Sequence, residues 1–262
     1  MDHGPWTMDH GPWTRGWPRA AAVMILMGAA ALVPTAPNAQ AIGCGTSGNY
    51  QVGWTTSLWP GSQPRQFEGV KAVLTDRAGY GLCTTNTSGW NTNSNWTAMH
   101  GANPSSYAQS GTLFTWNDSY CVRFFAEQSL NGAWSRTTLQ GVCSQPGEAH
   151  FVWQQTVFDG GAWRIRSNID QTMLMKSTWN PFATWGSPFQ VLTSSETHYP
   201  ESRIPGSGTA PLSFSDLEIQ DRQNHSWYGT CGNANFVSYN QNSGLWGSDA
   251  PSCNYTRNWH KF

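Results

Sequence analysis

A glutamine at position 109 and a glutamate at position 196 have surroundings that suit bond-breaking chemistry. Gln109 stands in "SYAQSGTLF", Ser106 to Phe114, an alternating stretch that reads as a β-strand. It puts an uncharged amide, and Gly111, where strands ordinarily carry bulkier side chains. Glu196 closes the strand of "FQVLTSSETHYP", in phase with Gln190, Leu192 and Ser194, and is followed by His198 and Tyr199. An ionised glutamate can take a proton from water as the water attacks a carbonyl, then return it to the leaving amine. A glutamine amide does not titrate in this range but can donate a hydrogen bond to the developing oxyanion, a contribution on the order of 10² to 10³ in rate. The same patterns also suit a strand-end surface glutamate and an amide satisfied by neighbouring backbone, so both readings stand at this point.

Other chemistries find no support. The chain has no G-x-S-x-G elbow, no H-E-x-x-H pair and no glycine-rich phosphate loop. His100, His150, His198, His225 and His260 are dispersed without ligand spacing, so neither a metal nor an organic cofactor is implied. In "FSDLEIQD", Asp216, Glu218 and Gln220 alternate with Leu217 and Ile219 as on a solvated strand face, and Glu68, Glu127 and Glu148 read the same way.

The elements that must position these residues are strands. No window shows a sustained helical period, whereas short segments rich in Val, Trp, Tyr, Phe and Thr recur between Gly, Asn, Ser and Pro clusters. Strands are predicted over Tyr50–Leu58, Gly69–Thr75, Asn95–His100, Tyr107–Thr115, Cys121–Gln128, His150–Phe158, Trp163–Asn168, Gln171–Ser177, Phe189–Thr197, Phe214–Asp221 and Ser226–Thr230. This pattern predicts an all-β fold, a two-sheet antiparallel β-sandwich of the jelly-roll or concanavalin-like kind, stabilised by disulfides. Cys83–Trp96 and Pro200–Ser213 read as surface loops.

Upstream, "MDHGPWT" occurs twice, at 1–7 and 8–14, before Arg15, Arg19, an apolar run from Ala20 to Val33 and the small-residue site Ala39-Gln40-Ala41. These are the parts of a secretory signal peptide, with an apolar run short of the roughly 20 residues a membrane span requires. Cleavage after Ala41 leaves 42–262, 221 residues, as a single secreted domain with 12 Lys and Arg against 13 Asp and Glu. So balanced a charge argues against a nucleic-acid partner. No further segment of the chain is apolar enough for a membrane, and a monomer is expected. Cys44, Cys83, Cys121, Cys143, Cys231 and Cys253 imply three disulfides, for which sequence neighbours are the simplest pairing among fifteen.

"SNWTAMHGANPSSYAQSGTLF", Ser94 to Phe114, resembles a region of the secreted glutamic peptidases of the eqolisin (scytalidoglutamic peptidase) type, in which a tryptophan-bearing strand leads through a glycine turn to a Gln-x-Gly strand. "FQVLTSSETHYPESRIPGSGTAPLSFSDLEI" is similar to that family's second motif, a hydrophobic strand delivering a catalytic glutamate. The neprosin-type peptidases share the sandwich plan with a second glutamate in place of the glutamine. The resemblance implies a hydrolase of polypeptides with Gln109 and Glu196 as its dyad, and Trp96, His198 and Tyr199 are the expected cleft-lining neighbours. A glutamine partner, unlike a second carboxylate, does not raise the pKa of the glutamate, so cleavage at acidic pH is expected. Trp179 and Trp185, in "STWNPFATW", suit a cleft wall that holds a peptide or equally a glycan. Ala108 and Thr197 depart from the pattern, which has an aliphatic residue and an acid there.

An alternative reading is a non-catalytic sandwich that binds glycans or a surface partner. Of the thirteen tryptophans after Ala41, Trp90, Trp96, Trp116, Trp179 and Trp185 lie in polar surroundings, whereas Trp153 and Trp163 read as core. If the leader reading is right, amino-terminal sequencing of the exported protein yields Ile42 as its first residue; an intact Met1 or Met8 overturns it.

Overall fold

Alternation and turn chemistry build an almost wholly β structure. The computed structural model describes residues 44–57, 67–83, 91–115, 121–185 and 190–262; the segment expected to be a leader, Trp90 and Trp116 lie outside them. Among the described residues the elements are β1 (Tyr50–Ser57), β2 (Phe67–Thr75), β3 (Thr92–His100), β4 (Tyr107–Thr115), β5 (Val122–Leu130), β6 (Ala133–Ser144), β7 (Ala149–Asp159), β8 (Ala162–Ile169), β9 (Thr172–Lys176), α1 (Pro181–Thr184), β10 (Gln190–Thr197), β11 (Gly206–Ser207), β12 (Ala210–Asp221), β13 (Trp227–Gly229), β14 (Asn235–Asn240), β15 (Trp246–Ser252) and β16 (Tyr255–His260). They form two antiparallel sheets, ordered β14-β1-β10-β3-β4-β5-β6 and β15-β16-β12-β2-β7-β8-β9, with β11 and β13 paired to β12. The chain is a disulfide-bonded β-sandwich, bridged Cys44–Cys83, Cys121–Cys143 and Cys231–Cys253, the pairing of sequence neighbours.

The layer between the sheets is apolar at Val70, Met99, Ala108 and Ile165, and at Leu74, Phe124, Val152 and Phe214. It is crossed by a buried polar seam. Thr97 donates to Gln154 Oε1 at 3.1 Å, Gln154 Nε2 donates to Ser110 at 2.5 Å, and Ser110 donates to the Asn168 carbonyl at 3.1 Å. Gln128 Nε2 reaches the Ile165 carbonyl and Asn258 Nδ2 reaches Ser195. Hydrogen-bonded polar groups in a low-dielectric interior fix one alignment of the sheets, because a slipped register leaves them unpaired.

This seam explains a difference from the sequence reading. Asn93, Asn95 and Thr97 face inward and are fully buried, so β3 begins at Thr92 inside the segment that reads as a polar loop. The Pro200–Ser213 segment likewise holds buried Ser202 and Ile204, strand β11 and the start of β12. Glu68 and Gln220 are buried rather than solvated, Glu68 being 1% exposed and paired to His225 Nδ1 at 2.6 Å. The fully buried tryptophans are Trp96, Trp185 and Trp246, whereas Trp153 sits half-buried on the outer face of its sheet and Trp163 packs edge-on against Phe158 and Phe182.

Strands β6, β11, β14, β15 and β16 are absent from the sequence expectation. The first of these follows a two-residue hairpin loop, Asn131-Gly132, in which both residues have positive φ (53° and 86°). That is the turn whose twist suits an antiparallel hairpin, and Asn-Gly is its strongest sequence signal. Its register pairs Leu130 with Ala133 and, three steps on, Glu127 with Arg136.

On the outward face of the β10-β3-β4 region the backbones come unusually close. A Cβ on Gly111 would run into the Asn95 carbonyl of β3, and one on Gly53 into the Thr193 carbonyl of β10. Glycines at such positions let a sheet kink and curve. Gly53, Ser194, Trp96 and Gly111 are successive cross-strand partners, so the two glycines lie on one line straight across the sheet. We expect Gly111→Ala to lower stability by about 1–3 kcal/mol, the range for an overpacked site, as a reduced urea midpoint; an unchanged midpoint removes the close approach from this account.

Candidate active site

One face of the seven-stranded sheet carries the sequence-predicted dyad. Cross-strand pairing sets two polar rows beside this glycine line. Gln51 on β1 lies opposite Glu196 on β10, which lies opposite Ser94 on β3. Gln109 on β4 lies opposite Glu127 on β5, which lies opposite Arg136 on β6. The side-chain period of two puts all of these, with Trp96, His100, Tyr107 and Trp134, on the same face. All of them except Ser94 line a cleft of about 270 Å³ together with Asn49, Pro104 and His198.

The hydrogen bonds divide the cleft into two halves. In one, Gln51 Nε2 donates to Glu196 Oε2 at 3.0 Å, and the Trp96 indole N–H approaches the Glu196 carboxyl without reaching full hydrogen-bond geometry. In the other, Glu127 is 4% exposed and accepts from Tyr107 Oη at 2.5 Å, Gln109 Nε2 at 3.4 Å and Arg136 Nε at 2.6 Å. Charge assistance makes the Arg136 bond the stronger kind, and it offsets the cost of removing a carboxylate from water. A stacked wall of Trp96, His100 and Tyr107, with ring centroids 6.5 and 5.6 Å apart, runs along the cleft.

Electrostatics separate the two carboxyls. Burial pushes Glu196 up to about 7, and the Glu127 charge adds to this; the Gln51 amide and Arg136 oppose it. Burial lowers His100 to about 4 and lowers His198, so both imidazoles are neutral where Glu196 titrates. Burial raises the Tyr107 and Tyr239 hydroxyls, which stay protonated. Among the described residues no group of three or more His, Cys, Asp or Glu side chains gathers as a metal site.

Of the residues singled out by sequence, Gln109, Glu196, Trp96 and His198 line this cleft, and Tyr199, Trp179 and Trp185 do not. Tyr199 is turned into the protein, its carbonyl accepting from Thr197 at 2.6 Å. Trp179 and Trp185 pack on each other, 5.1 Å apart, and Trp185 belongs to the inter-sheet core beside Met99 and Val191. Glu127, which reads as a solvated strand position, is instead a buried cleft residue; Arg136, Tyr107 and Gln51 complete the set that sequence reasoning missed. The Asn131-Gly132 turn was the available signal for Glu127 and Arg136, because counting back from a two-residue loop pairs them.

No protein-family model matches the sequence, and no curated protein does. Among solved structures the chain is similar to scytalido-glutamic peptidase with a transition state analog inhibitor, at TM-score 0.51 and 9% identity over 82% of this chain and 100% of that one. A second structure of that peptidase, with a peptide-based transition state analog, gives TM-score 0.50 and 8% identity over the same shares. A carbohydrate-binding module from Bacillus subtilis follows at TM-score 0.32 and 11% identity, over 59% of this chain and 81% of that one. At such identities the likeness concerns the fold: this chain has the sandwich architecture seen in scytalido-glutamic peptidase.

A carboxyl raised from 4.5 to about 7 prefers its protonated form in the folded state, so its contribution to stability is complete below pH 4.5 and is lost as pH rises through 7. Glu196→Gln cannot ionise. It is therefore expected to match the wild type near pH 4 and exceed it at pH 8 by up to about 3 kcal/mol, at roughly 1.4 kcal/mol per unit. Urea unfolding at both values checks this, and a difference independent of pH contradicts it.

Proposed function

We propose that the cleft hydrolyses peptide bonds, with Glu196 as general base and acid and Gln109 as oxyanion donor. The observation that carries this reading is the convergence of an amide donor and a raised carboxyl on one concave face: Gln109 and Glu196 line the same cleft, and burial holds Glu196 near 7. A base works best with its pKa near the working pH, where it is both ionised and a competent proton acceptor.

The steps follow from the groups. The Glu196 carboxylate takes a proton from water as the water oxygen bonds to the substrate carbonyl carbon. The carbonyl electron pair moves to oxygen, and an N–H of Gln109 stabilises the oxyanion. As the C–N bond breaks, Glu196 gives the proton to the departing amine and returns to its ionised form. The likeness of the fold to scytalido-glutamic peptidase supports the reading at the level of architecture.

The pH range differs from the expectation of an acid optimum. That expectation rested on a lone carboxylate beside an amide, whereas burial, and after it the Glu127 charge, raises Glu196. Because the base must be ionised for the first step, cleavage rises as pH approaches and passes 7 and fades on acidification.

Cleavage of a denatured protein from pH 2 to 8, followed by mass spectrometry of the products, tests this. Gln109→Ala should lower kcat by about 10² to 10³, and Glu196→Gln by about 10² to 10⁴. Wild-type activity retained by both variants excludes the dyad. Absence of wild-type cleavage at every pH, with binding on a glycan array, favours the glycan-binding alternative.

A further inference from the structure

We infer that Glu127 is the positioning residue of this cleft: anchored by Arg136 and Tyr107, its carboxylate turns the Gln109 amide so that the nitrogen, not the oxygen, faces it and a second N–H is left for a substrate oxygen. This inference rests on the peptidase reading for its functional meaning, but its physical basis is independent of it. The register sets Gln109, Glu127 and Arg136 directly opposite one another on three adjacent strands, which is where side chains of one face interact most strongly.

The direction of the amide follows from what each partner can do. An amide offers two N–H donors on nitrogen and lone pairs on oxygen, and the terminal torsion of glutamine permits either orientation. A carboxylate only accepts. Glu127 Oε2 takes the Arg136 Nε–H at 2.6 Å and Oε1 takes the Tyr107 hydroxyl at 2.5 Å, so Gln109 can bond to Oε1 through nitrogen alone, as it does at 3.4 Å. With Glu127 replaced by a neutral amide, either end of Gln109 finds a partner and the orientation is no longer imposed.

The same charge acts on Glu196. The titratable and charged groups that face Glu196 are Glu127 from β5, Arg136 from β6, Tyr107 from β4 and Tyr239 from β14, with His100 and His198 along the cleft. Glu127 is the anion among them that opposes ionisation of Glu196, and Arg136 is the cation that favours it. Neutralising Glu127 therefore moves the Glu196 titration to lower pH, and neutralising Arg136 moves it to higher pH. A residue that served packing alone would not produce opposite shifts.

The test uses the full-length mature protein labelled for NMR at the Gln side-chain amides and Glu carboxyls. In the wild type, one Gln109 side-chain N–H should exchange slowly with solvent and the other fast. Glu127→Gln should abolish that asymmetry and lower the Glu196 midpoint by about one unit or more, while Arg136→Met raises it; kcat of Glu127→Gln should fall at least about tenfold with KM little changed. If a single variant fails to fold because a buried charge is left alone, Glu127→Gln/Arg136→Met removes both charges and should still lose the exchange asymmetry. Equal exchange of the two amide protons in the wild type overturns the inference without any variant. So does a Glu196 midpoint unmoved by Glu127→Gln. These readouts need no substrate, so a wild type that cleaves nothing while showing them overturns the peptidase reading and leaves the positioning role. Loss of cleavage in Gln109→Ala and Glu196→Gln, without them, does the reverse.

Discussion

The close backbone approach at Gly53 and Gly111 is the constraint on which the rest of the cleft depends. A regular sheet holds the side chains of one face apart at the spacing of its strands, and polar groups there would be bathed in water. Here the neighbouring backbones occupy the space of the missing Cβ atoms. The polar rows lie on either side of the line through these glycines and wall one pocket. Burial in that pocket is the largest influence on the Glu196 titration.

The two glutamates of this site meet different partners. Glu127 meets three donors, one of them a cation, and is held as an acceptor by the strands on both sides. Glu196 meets a neutral amide and an indole, and so its charged form is the costly one. Two carboxyls of identical chemistry thus have different surroundings, because one faces a guanidinium across a hairpin and the other does not. The neutral imidazoles of His100 and His198 keep further positive charge out of the cleft.

The polar seam between the sheets does for the sandwich what the hydrogen-bonded row does for the cleft. Thr97, Ser110, Gln128, Gln154 and Asn258 lie where aliphatic side chains would pack with less specificity, and each is bonded across the layer. They tie the back of the cleft-bearing strands to the second sheet. The cleft face and the seam face alternate along the same strands, so Gln109 works on one side of β4 while Ser110 anchors the other.

Alternation of residues along the chain and the punctuation by Gly, Asn and Pro determined the all-β class and the central strands, and the cysteine count implied three disulfides; which of fifteen pairings forms was decided by the fold. Gln109, Glu196, Trp96 and His198 were legible as site candidates because strand periodicity and short motifs are local properties. Glu127 was not: on β5 it looks like any alternating acid, and its burial comes from Arg136 across a hairpin and Tyr107 on the neighbouring strand. Trp179, Trp185 and Tyr199 misled for the converse reason, since polar neighbours in sequence say nothing of the apolar neighbours brought by the fold. Which face of a strand looks inward, how closely two backbones approach, and which charge stands opposite which carboxyl are long-range facts. Tertiary structure alone decided them, because pairing and burial join residues that the chain keeps tens of positions apart.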